Sequence, residues 1–250
     1  MNEQKQTAKG DNITQLNLTV NGNYITGLDK EAVIDIIKSY GYVNIDEIIE
    51  VVQNAIEGIN AEKRVMPDKR IFVPLIQQLS YSLDDETLKA TYSKLLASSL
   101  NSEKKHALHP SFINIVSQLN SDEIKLLNSL PCSTHLPKPI INVRMKIGDE
   151  QGLGIMQVKY FTDIAFGVCE RPDNICVYLE NLERLQIIEI PKDKTITSKE
   201  AYLPLKSHPL ILAVLDKNKS SDNLKIAYEY DEMFFRLTQF GVNFITCCKK

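Results

Sequence analysis

The chain contains 250 residues, of which 43% are apolar and 24% are charged, and its formal net charge is −3. This composition predicts a folded protein of one or two domains, and the charge argues against an overall basic surface that would attract nucleic acid. The lack of a long apolar run, the polar first residues and the five irregularly spaced cysteines predict a cytoplasmic protein with free thiols, no secretory signal and no membrane contact.

Residues 1–27 differ from the rest of the chain and predict a short β-hairpin. Leu16, Leu18 and Val20 alternate with polar residues, which is typical of a half-buried strand, and Asn21-Gly22 favours a two-residue turn. A lone hairpin is only marginally stable in water, so its apolar face needs a cover. The cover could be the body of the protein or the same segment of other copies. We expect other copies to supply it and to make the chain a homo-oligomer; a flexible tail is the alternative. The residues predicted to mediate this oligomerisation are Ile13, Leu16, Leu18, Val20 and Ile25.

Residues 28–130 predict a helical bundle, because apolar residues recur there at helical spacing. The second helix is expected to begin at Asn44, with Glu47 completing a capping box. Pro74 predicts a kink or a new first turn within a helix, and Pro110 predicts the start of another helix. Ser121 is expected to cap a short helix that closes the bundle.

Residues 131–250 predict a winged-helix-like α+β region. An alternating strand covers residues 141–147, a helix covers 173–186 and a short strand follows at 187–190. A second alternating strand then leads through Leu237-Thr238 into a terminal helix. Helices followed by a small β-hairpin are the elements of a winged helix–turn–helix. The predicted fold class is therefore mainly α with small β elements (α+β): a hairpin, a helical bundle and a winged-helix-like region, in that order.

Several segments of the sequence resemble one known family. The first group comprises Ser82-Leu83-Asp84-Asp85-Glu86-Thr87-Leu88, Leu95-Leu96-Ala97-Ser98-Ser99-Leu100, His109-Pro110-Ser111-Phe112 and Leu119-Asn120-Ser121-Asp122-Glu123. The second comprises Tyr178-Leu179-Glu180-Asn181-Leu182-Glu183-Arg184-Leu185, Leu237-Thr238-Gln239-Phe240-Gly241 and Phe244. In this order along the chain, the segments resemble the Abi-alpha family of bacterial abortive-infection proteins. The resemblance implies a role in defence against phage, and it supplies no catalytic residues to transfer.

The residues of these segments also have an interpretation in terms of folding alone. Pro110 suits the first position of a helix, and Ser121 suits an N-cap. Phe112, Leu182 and Phe240 suit a hydrophobic core. Such roles predict a shared fold rather than a reactive site.

One group of residues has the composition of a zinc site. His106-x-x-His109 is followed by Cys132-x-x-His135, and zinc is held by four such ligands in short paired spacings. Against this interpretation, His109 precedes a proline that starts a helix. Cys132 and His135 lie in a proline-rich loop with no visible supporting residues. The four residues are therefore candidate ligands, and we expect no bound metal.

The sequence lacks the motifs of the common hydrolytic enzymes. There is no Gly-x-Ser-x-Gly elbow, no phosphate-binding loop that ends in Lys-Ser or Lys-Thr, and no His-Glu-x-x-His. The acidic pairs Asp84-Asp85 and Asp122-Glu123 fall at predicted helix starts, where the helix macrodipole already favours them. We therefore expect no enzymatic activity and no cofactor. An unrecognised toxic enzyme, such as a nuclease, is the remaining alternative.

The winged-helix interpretation raises the question of nucleic-acid binding. The candidate recognition helix, residues 173–186, carries three acidic residues against the single basic residue Arg184. The following segment offers Lys192, Lys194 and Lys199, next to Asp193 and Glu200. Phosphate contacts supply most of the affinity in such complexes, so an acidic helix is poorly suited to them. Arg184, Lys192, Lys194 and Lys199 are the possible nucleic-acid contacts, and protein binding is favoured.

The leading hypothesis is a non-enzymatic anti-phage defence protein that acts through self-association and protein binding. Its protein partner is expected to come from a neighbouring defence gene or from the phage. A winged-helix regulator that binds nucleic acid is the first alternative, and the toxic enzyme is the second.

Overall fold

The computed structural model describes residues 29–42, 44–148, 154–217 and 226–249. The helices are α1 (Lys30–Ser39), α2 (Ile45–Glu57), α3 (Lys69–Ser80), α4 (Glu86–Ser99), α5 (Ser111–Val116), α6 (Ser121–Ser129), α7 (Ile175–Arg184), α8 (Leu203–Lys206), α9 (Pro209–Lys217) and α10 (Gln239–Lys249). The strands are β1 (Lys138–Ile147), β2 (Ile155–Phe161), β3 (Ile188–Glu189) and β4 (Ile226–Leu237). The prediction of a mainly helical α+β fold is confirmed. The predicted N-terminal hairpin, with Ile13, Leu16, Leu18, Val20 and Ile25, lies outside the described residues.

Aspartate side chains begin three helices of the bundle. Asp29, Asp68 and Asp85 precede α1, α3 and α4, and their carboxylates accept hydrogen bonds from backbone N–H groups of the first turn. These N–H groups have no partner within the helix, so a short polar side chain at this position stabilises each helix start.

Two of the capping predictions are wrong. Asn44 adopts a left-handed conformation with φ of 57°, and its side chain caps no backbone N–H. Asparagine tolerates this conformation, so the residue turns the chain between α1 and α2 instead. At α6 the cap is Asn120 rather than Ser121, and Asn120 and Glu123 form a reciprocal capping box. Pro74 starts no new helix, because α3 continues through it.

The main hydrophobic core joins the helical bundle to the C-terminal part of the chain. α4 lies at its centre and packs against α2, α3, α5, α6 and α10. Tyr92 of α4, Leu182 of α7 and Phe244 of α10 belong to the same buried cluster as Val33 of α1. The first and last helices of the described chain therefore share one core.

The four strands form an antiparallel sheet in the order β2-β1-β4-β3. β1 and β4 pair along their lengths, from Lys138 opposite Phe235 to Ile147 opposite Ile226. A second buried cluster covers one face of this ladder, and it contains Ile141, Val143, Phe161, Tyr202, Leu205 and Ile211. The sheet thus lies between the helical core on one face and α8 and α9 on the other.

The predicted strand at residues 141–147 is confirmed within β1, and the helix predicted at 173–186 is confirmed as α7, preceded by a 3-10 turn at Pro172–Asn174. β3 falls within the predicted strand 187–190, and it pairs with the end of β4 rather than with an adjacent strand of a short hairpin. Among the described residues, no helix has the length and apolar character needed to cross a membrane.

Candidate functional site

Asp122, at the start of α6, is a buried carboxylate with three hydrogen-bond donors. Its side chain belongs to a residue that is only 7% exposed. One oxygen, Oδ1, accepts the backbone N–H of Glu170 at 2.8 Å, and Oδ2 accepts the N–H of Arg171 at 2.8 Å and the hydroxyl of Tyr178 at 3.0 Å. Burial opposes ionisation, but these donors outweigh it and hold the pKa of Asp122 below its usual value. The carboxylate anchors the segment that leads into α7.

Glu123 is also buried, and it forms the second connection between α6 and α7. Its Oε2 accepts the backbone N–H of Asn120 at 2.8 Å, and its Oε1 accepts the side-chain amide of Asn181 at 2.8 Å. Here burial dominates and raises the pKa of Glu123. The same Asn181 nitrogen donates to the carbonyl oxygen of Gln118 at 2.9 Å. Both carboxylates of the pair therefore serve packing between helices.

Arg184 completes this junction between α6 and α7. Its Nη1 and Nη2 both lie 3.1 Å from Oε1 of Gln118, and Nη2 donates to Oδ1 of Asn181 at 2.6 Å. Tyr178, Asn181 and Arg184 are spaced three residues apart, so all three lie on the side of α7 that meets α6. That spacing in the printed sequence is the signal from which the junction could have been predicted.

A second contact links two of the family segments across the bundle. Asp85, which caps α4, accepts a short hydrogen bond from the hydroxyl of Ser121. This bond is the largest cause of the lowered pKa of Asp85. The acidic pair at residues 84–85 therefore contributes a cap and a link to α6.

The His-Pro-Ser-Phe and Leu-Thr-x-Phe-Gly segments meet in an aromatic cluster. The ring of His109 lies 5.8 Å from that of Phe240, and Phe112 packs edge-on against Phe240 at 5.1 Å and against Phe244 at 5.3 Å. Edge-to-face aromatic pairs at these distances stabilise a core beyond the area they bury. The interpretation of Phe112 and Phe240 as core residues agrees with this arrangement, because α5 and α10 pack through them.

Thr238 and Gly241 fix the start of α10 against the segment before β3. The Thr238 hydroxyl accepts the N–H of Gly241 at 2.9 Å and donates to the carbonyl oxygen of Gln186 at 2.6 Å. A Cβ at position 241 would lie 2.9 Å from the carbonyl carbon of Ile187 and closer still to its oxygen. Glycine is required there because the two backbones approach too closely for a side chain.

The candidate zinc ligands do not form a cluster. His106 and His135 are exposed on separate turns, whereas the Nδ1 of His109 accepts the backbone N–H of Ser111 at 3.2 Å. The Sγ of Cys132 lies 3.4 Å from the hydroxyl of Thr246, on α10. Within the described ranges, no three histidine, cysteine or acidic side chains come close enough to share a metal ion.

Four of the cysteine thiols are not activated as nucleophiles. Burial raises the pKa of Cys169 to about 11, and the nearby charge of Asp122 raises it further. Burial likewise raises the pKa of Cys176, Cys247 and Cys248. These thiols stay protonated at neutral pH, and a thiol is far less nucleophilic than a thiolate.

The four possible nucleic-acid contacts lie in different surroundings. Arg184 belongs to the junction described above, and Lys199 forms an ion pair with Glu232. Lys192 and Lys194 are exposed on the loop after β3. On α7, Glu180 pairs with Lys159 of β2, so the polar surface of this helix is partly neutralised.

An apolar groove lies at the outer edge of the sheet, between α7 and α9. We call it the edge groove; its volume is about 300 Å³, and its lining includes Val158, Phe161, Phe166, Ile175, Leu210, Ala213 and Val214. Lys159, Asp173 and Lys217 are the charged residues that line it. Within this lining, Leu210 is 48% exposed. Exposed apolar residues around a concave surface are typical of a binding site.

A larger groove, of about 490 Å³, lies between α2 and α4. Its floor consists of small and branched apolar residues, and Lys89, Lys94 and Lys104 are among its polar residues. Lys89 is already paired with Glu47 and Glu86, at 3.4 and 2.8 Å. This groove therefore has a weaker positive charge than its lysines alone would give.

Comparison with known proteins places the chain in a family but finds no individual relative. Neither the curated proteins nor the solved structures contain a match to this chain. The sequence model of one family, described as abortive infection alpha, matches residues 42–248. Since this match covers most of the chain, from α2 to all but the last residue of α10, the protein belongs to the abortive infection alpha family.

Proposed function

We propose that the protein is a non-enzymatic abortive-infection defence factor that acts in the cytoplasm through self-association and protein binding. Membership of the abortive infection alpha family supports the defence role. Hydrogen bonds of the Asp122, Glu123, Tyr178 and Arg184 side chains connect α7 with α6 and with the segment before α6. These connections support a structural role for the family segments. The free state of the described cysteines fits a reducing compartment.

The observation that carries this proposal is the edge groove. Protein-binding surfaces combine an apolar centre with a charged rim, and this groove has Leu210 and Val214 in its lining with Lys159, Asp173 and Lys217 beside them. Ile211 is the buried residue of α9, whereas Leu210 and Leu212 are 48% and 45% exposed. An apolar helix with this much exposed surface gains stability when a partner covers it.

Self-association is assigned to the N-terminal segment, through Ile13, Leu16, Leu18, Val20 and Ile25. Leu16, Leu18 and Val20 alternate with polar residues, which gives one apolar face that needs a cover. Light scattering on the full chain and on its Leu18→Glu variant tests this part. A lower mass for the variant is expected, and equal masses would refute the assignment.

Protein binding through the edge groove is tested by phage infection of cells that express the full chain. Leu210→Glu places a charge in the groove, and Leu212→Glu places the same charge at a similarly exposed position of α9 that does not line it. We expect loss of protection with Leu210→Glu and normal protection with Leu212→Glu. Equal protection by both variants would contradict the proposed role of the groove.

A second candidate is the winged-helix-like use of α7, β3 and β4 in nucleic-acid binding. The feature in its favour is the exposed pair Lys192 and Lys194, on the loop that follows β3. Gel retardation of a random duplex over a series of salt concentrations tests it. A shift at low salt that disappears in a Lys192→Glu, Lys194→Glu double variant would favour this candidate over protein binding.

A further inference from the structure

We propose that the groove between α2 and α4, which we call the α2–α4 groove, packs against the same groove of a second copy of this chain. The two copies are related by a twofold axis parallel to both helices. This surface is separate from the N-terminal segment, so the inference goes beyond the self-association proposed above. The observations that lead to it are an apolar floor, a basic wall on α4 and an acidic stripe on α2.

The floor of the α2–α4 groove is apolar and consists largely of small residues. Val51, Ala55 and Ala97 are partly buried and pack against the main core, and Gly58 lies beside them in the lining. The lining residues of α2 are three or four positions apart, so they lie on one side of that helix. Small side chains on both helices leave a groove of about 490 Å³, into which the surface of another helix can pack.

The α4 wall of the groove is basic. Lys89, Lys94 and Lys104 line it, and in the described part of the chain no acidic residue lines the groove. Lys89 is neutralised by its ion pairs with Glu47 and Glu86. Lys94 is partly exposed and forms no ion pair with the acidic side chains that the structure describes. The charge of Lys94 is therefore available to a partner.

The α2 side of the groove is acidic. Its exposed residues are three or four positions apart and form one stripe, Asp46, Glu50, Asn54 and Glu57. Asn54 lines the groove, so Glu50 lies about one turn from it. Glu57 pairs with Lys30 of α1, whereas Asp46 and Glu50 form no ion pair within the described ranges. This stripe therefore carries negative charge that a partner can neutralise.

α2 and α4 run side by side in the same direction. Glu47, near the start of α2, pairs with Lys89, which follows it by 42 residues. Beyond the other end, Arg64 donates to the carbonyl oxygen of Ile59 at 2.9 Å and forms a β-bridge with Asn101. Ile59 and Asn101 have the same separation in sequence. A residue of α2 therefore lies level with the residue of α4 that follows it by 42 positions.

A twofold axis parallel to the two helices brings the opposite charges together. Rotation about this axis exchanges the two sides of the groove and preserves the level along it, so α2 of one copy faces α4 of the other. Glu50 is level with the turn between Lys89 and Lys94, and it therefore meets Lys94 of the second copy. Because the contact is symmetric, this pair occurs twice.

Charge complementarity favours a second copy over an acidic partner. An acidic segment or a nucleic acid would be attracted by Lys94 but repelled by Asp46 and Glu50 on the other side of the groove. A second copy offers a basic wall to the acidic stripe and an acidic stripe to the basic wall. The surface is thus complementary to itself, as a twofold contact requires.

The size of this face indicates how strong the contact is. α2 and α4 contain 13 and 14 residues, so together they present a face of about 20 Å by 20 Å, or roughly 400 Å² per copy. Contacts of this size are weak and reversible. We therefore expect an equilibrium between monomer and dimer, and we expect salt to weaken the dimer because the charges are exposed.

Analytical ultracentrifugation tests this contact in full chains that carry Leu18→Glu, which is expected to disable the N-terminal segment. We expect the Leu18→Glu chain to form a reversible dimer at high protein concentration and low salt. Adding Lys94→Glu or Glu50→Lys is expected to weaken this dimer about tenfold, because each change creates two pairs of like charges. Adding both changes together is expected to restore the dimer, because the pairs are then attractive again.

Lys192→Glu is the matched control. It makes the same change in net charge as Lys94→Glu, at an exposed position on the loop after β3, so the dimer of the Leu18→Glu chain is expected to keep its affinity. Urea titration of every variant shows whether the fold is intact. Restoration by the combined change also separates a charge pair from damage to the fold, because damage from two substitutions does not cancel.

Three results would overturn the proposal. The first is a Leu18→Glu chain that stays monomeric at every concentration and at low salt. The second is a dimer that neither Lys94→Glu nor Glu50→Lys weakens, because another surface then forms it. The third is a weakened dimer that the combined change does not restore. Failure of the N-terminal assignment is seen separately, as equal masses of wild type and Leu18→Glu.

Discussion

Replacement of Asp122 by asparagine tests whether the junction between α6 and α7 holds the fold together. The carboxylate accepts the N–H groups of Glu170 and Arg171 and the hydroxyl of Tyr178. Asparagine has nearly the same shape but only one side-chain oxygen. Its amide nitrogen therefore faces an N–H or O–H donor and cannot accept a hydrogen bond from it. A buried donor left without a partner, together with the loss of a charged acceptor, costs about 2–4 kcal/mol.

The matched control is Asp173→Asn, because Asp173 belongs to an exposed ion pair with Arg171 whose side chains are 61% and 67% exposed. Water and salt screen such an exposed pair, so this variant is expected to have nearly the same free energy of unfolding as wild type. The free energy of unfolding from urea titration at neutral pH gives both values. Equal stability of Asp122→Asn and Asp173→Asn would refute the assigned role of Asp122.

The same variant has a defined pH dependence. The pKa of Asp122 is lowered in the folded protein, so its stabilising effect is complete above the ordinary aspartate value of 3.8 and is lost as the pH falls through the lower folded pKa. The stability difference between wild type and Asp122→Asn is therefore expected to be constant from pH 7 to about 5 and to shrink in acid. A difference that grows as the pH falls would contradict the assigned hydrogen bonds.

Three further changes follow from the same structure. In Gly241→Ala the new Cβ overlaps the backbone carbonyl of Ile187, so this variant is expected to destabilise the fold by about 2–3 kcal/mol. Gly58→Ala is the control, because its new Cβ lies 3.6 and 3.7 Å from the nearest atoms; the same urea titration is expected to show no change in its stability. Phe240→Ala removes a ring from the aromatic cluster and is expected to lower the melting temperature by well over 5 °C. Tyr81→Ala is the control, because Tyr81 is 74% exposed and its loss is expected to change the melting temperature little. Because the pKa of Glu123 is raised in the folded protein, wild type is expected to gain stability relative to Glu123→Gln as the pH falls from 7 through that folded pKa. Curves of unfolding free energy against pH that stay parallel for the two proteins would refute this.

Local patterns in the sequence predicted much of the fold. The alternation at residues 141–147 indicated β1, and the helical spacing at 173–186 indicated α7, because each pattern reflects which side of an element meets the core. The caps were less predictable. Asn44 has the residue type of a cap but the backbone of a left-handed turn, and residue type does not distinguish these two uses.

The junction at α6 could not be predicted from local patterns. Asp122 and Glu123 have the composition of an ordinary acidic helix start, and their partners from α7 and the segment before it lie 48 to 58 residues later, at 170–181. Their burial depends on α7 packing against α6, which is a tertiary contact. The edge groove is equally invisible in the sequence, because Leu210 and Leu212 look alike until the sheet places one of them beside β2.

The packing of α10 has a consequence for when the chain completes its fold. α10 fills the core against α4 and α6, and Phe244 and Ile245 are buried there, although these residues are synthesised after all the other described elements. A nascent chain that still holds α10 inside the ribosome leaves α4 uncovered, so the bundle closes only after synthesis has passed this helix. A translation product that ends before α10 would lack the helix that covers α4 and would not complete the core.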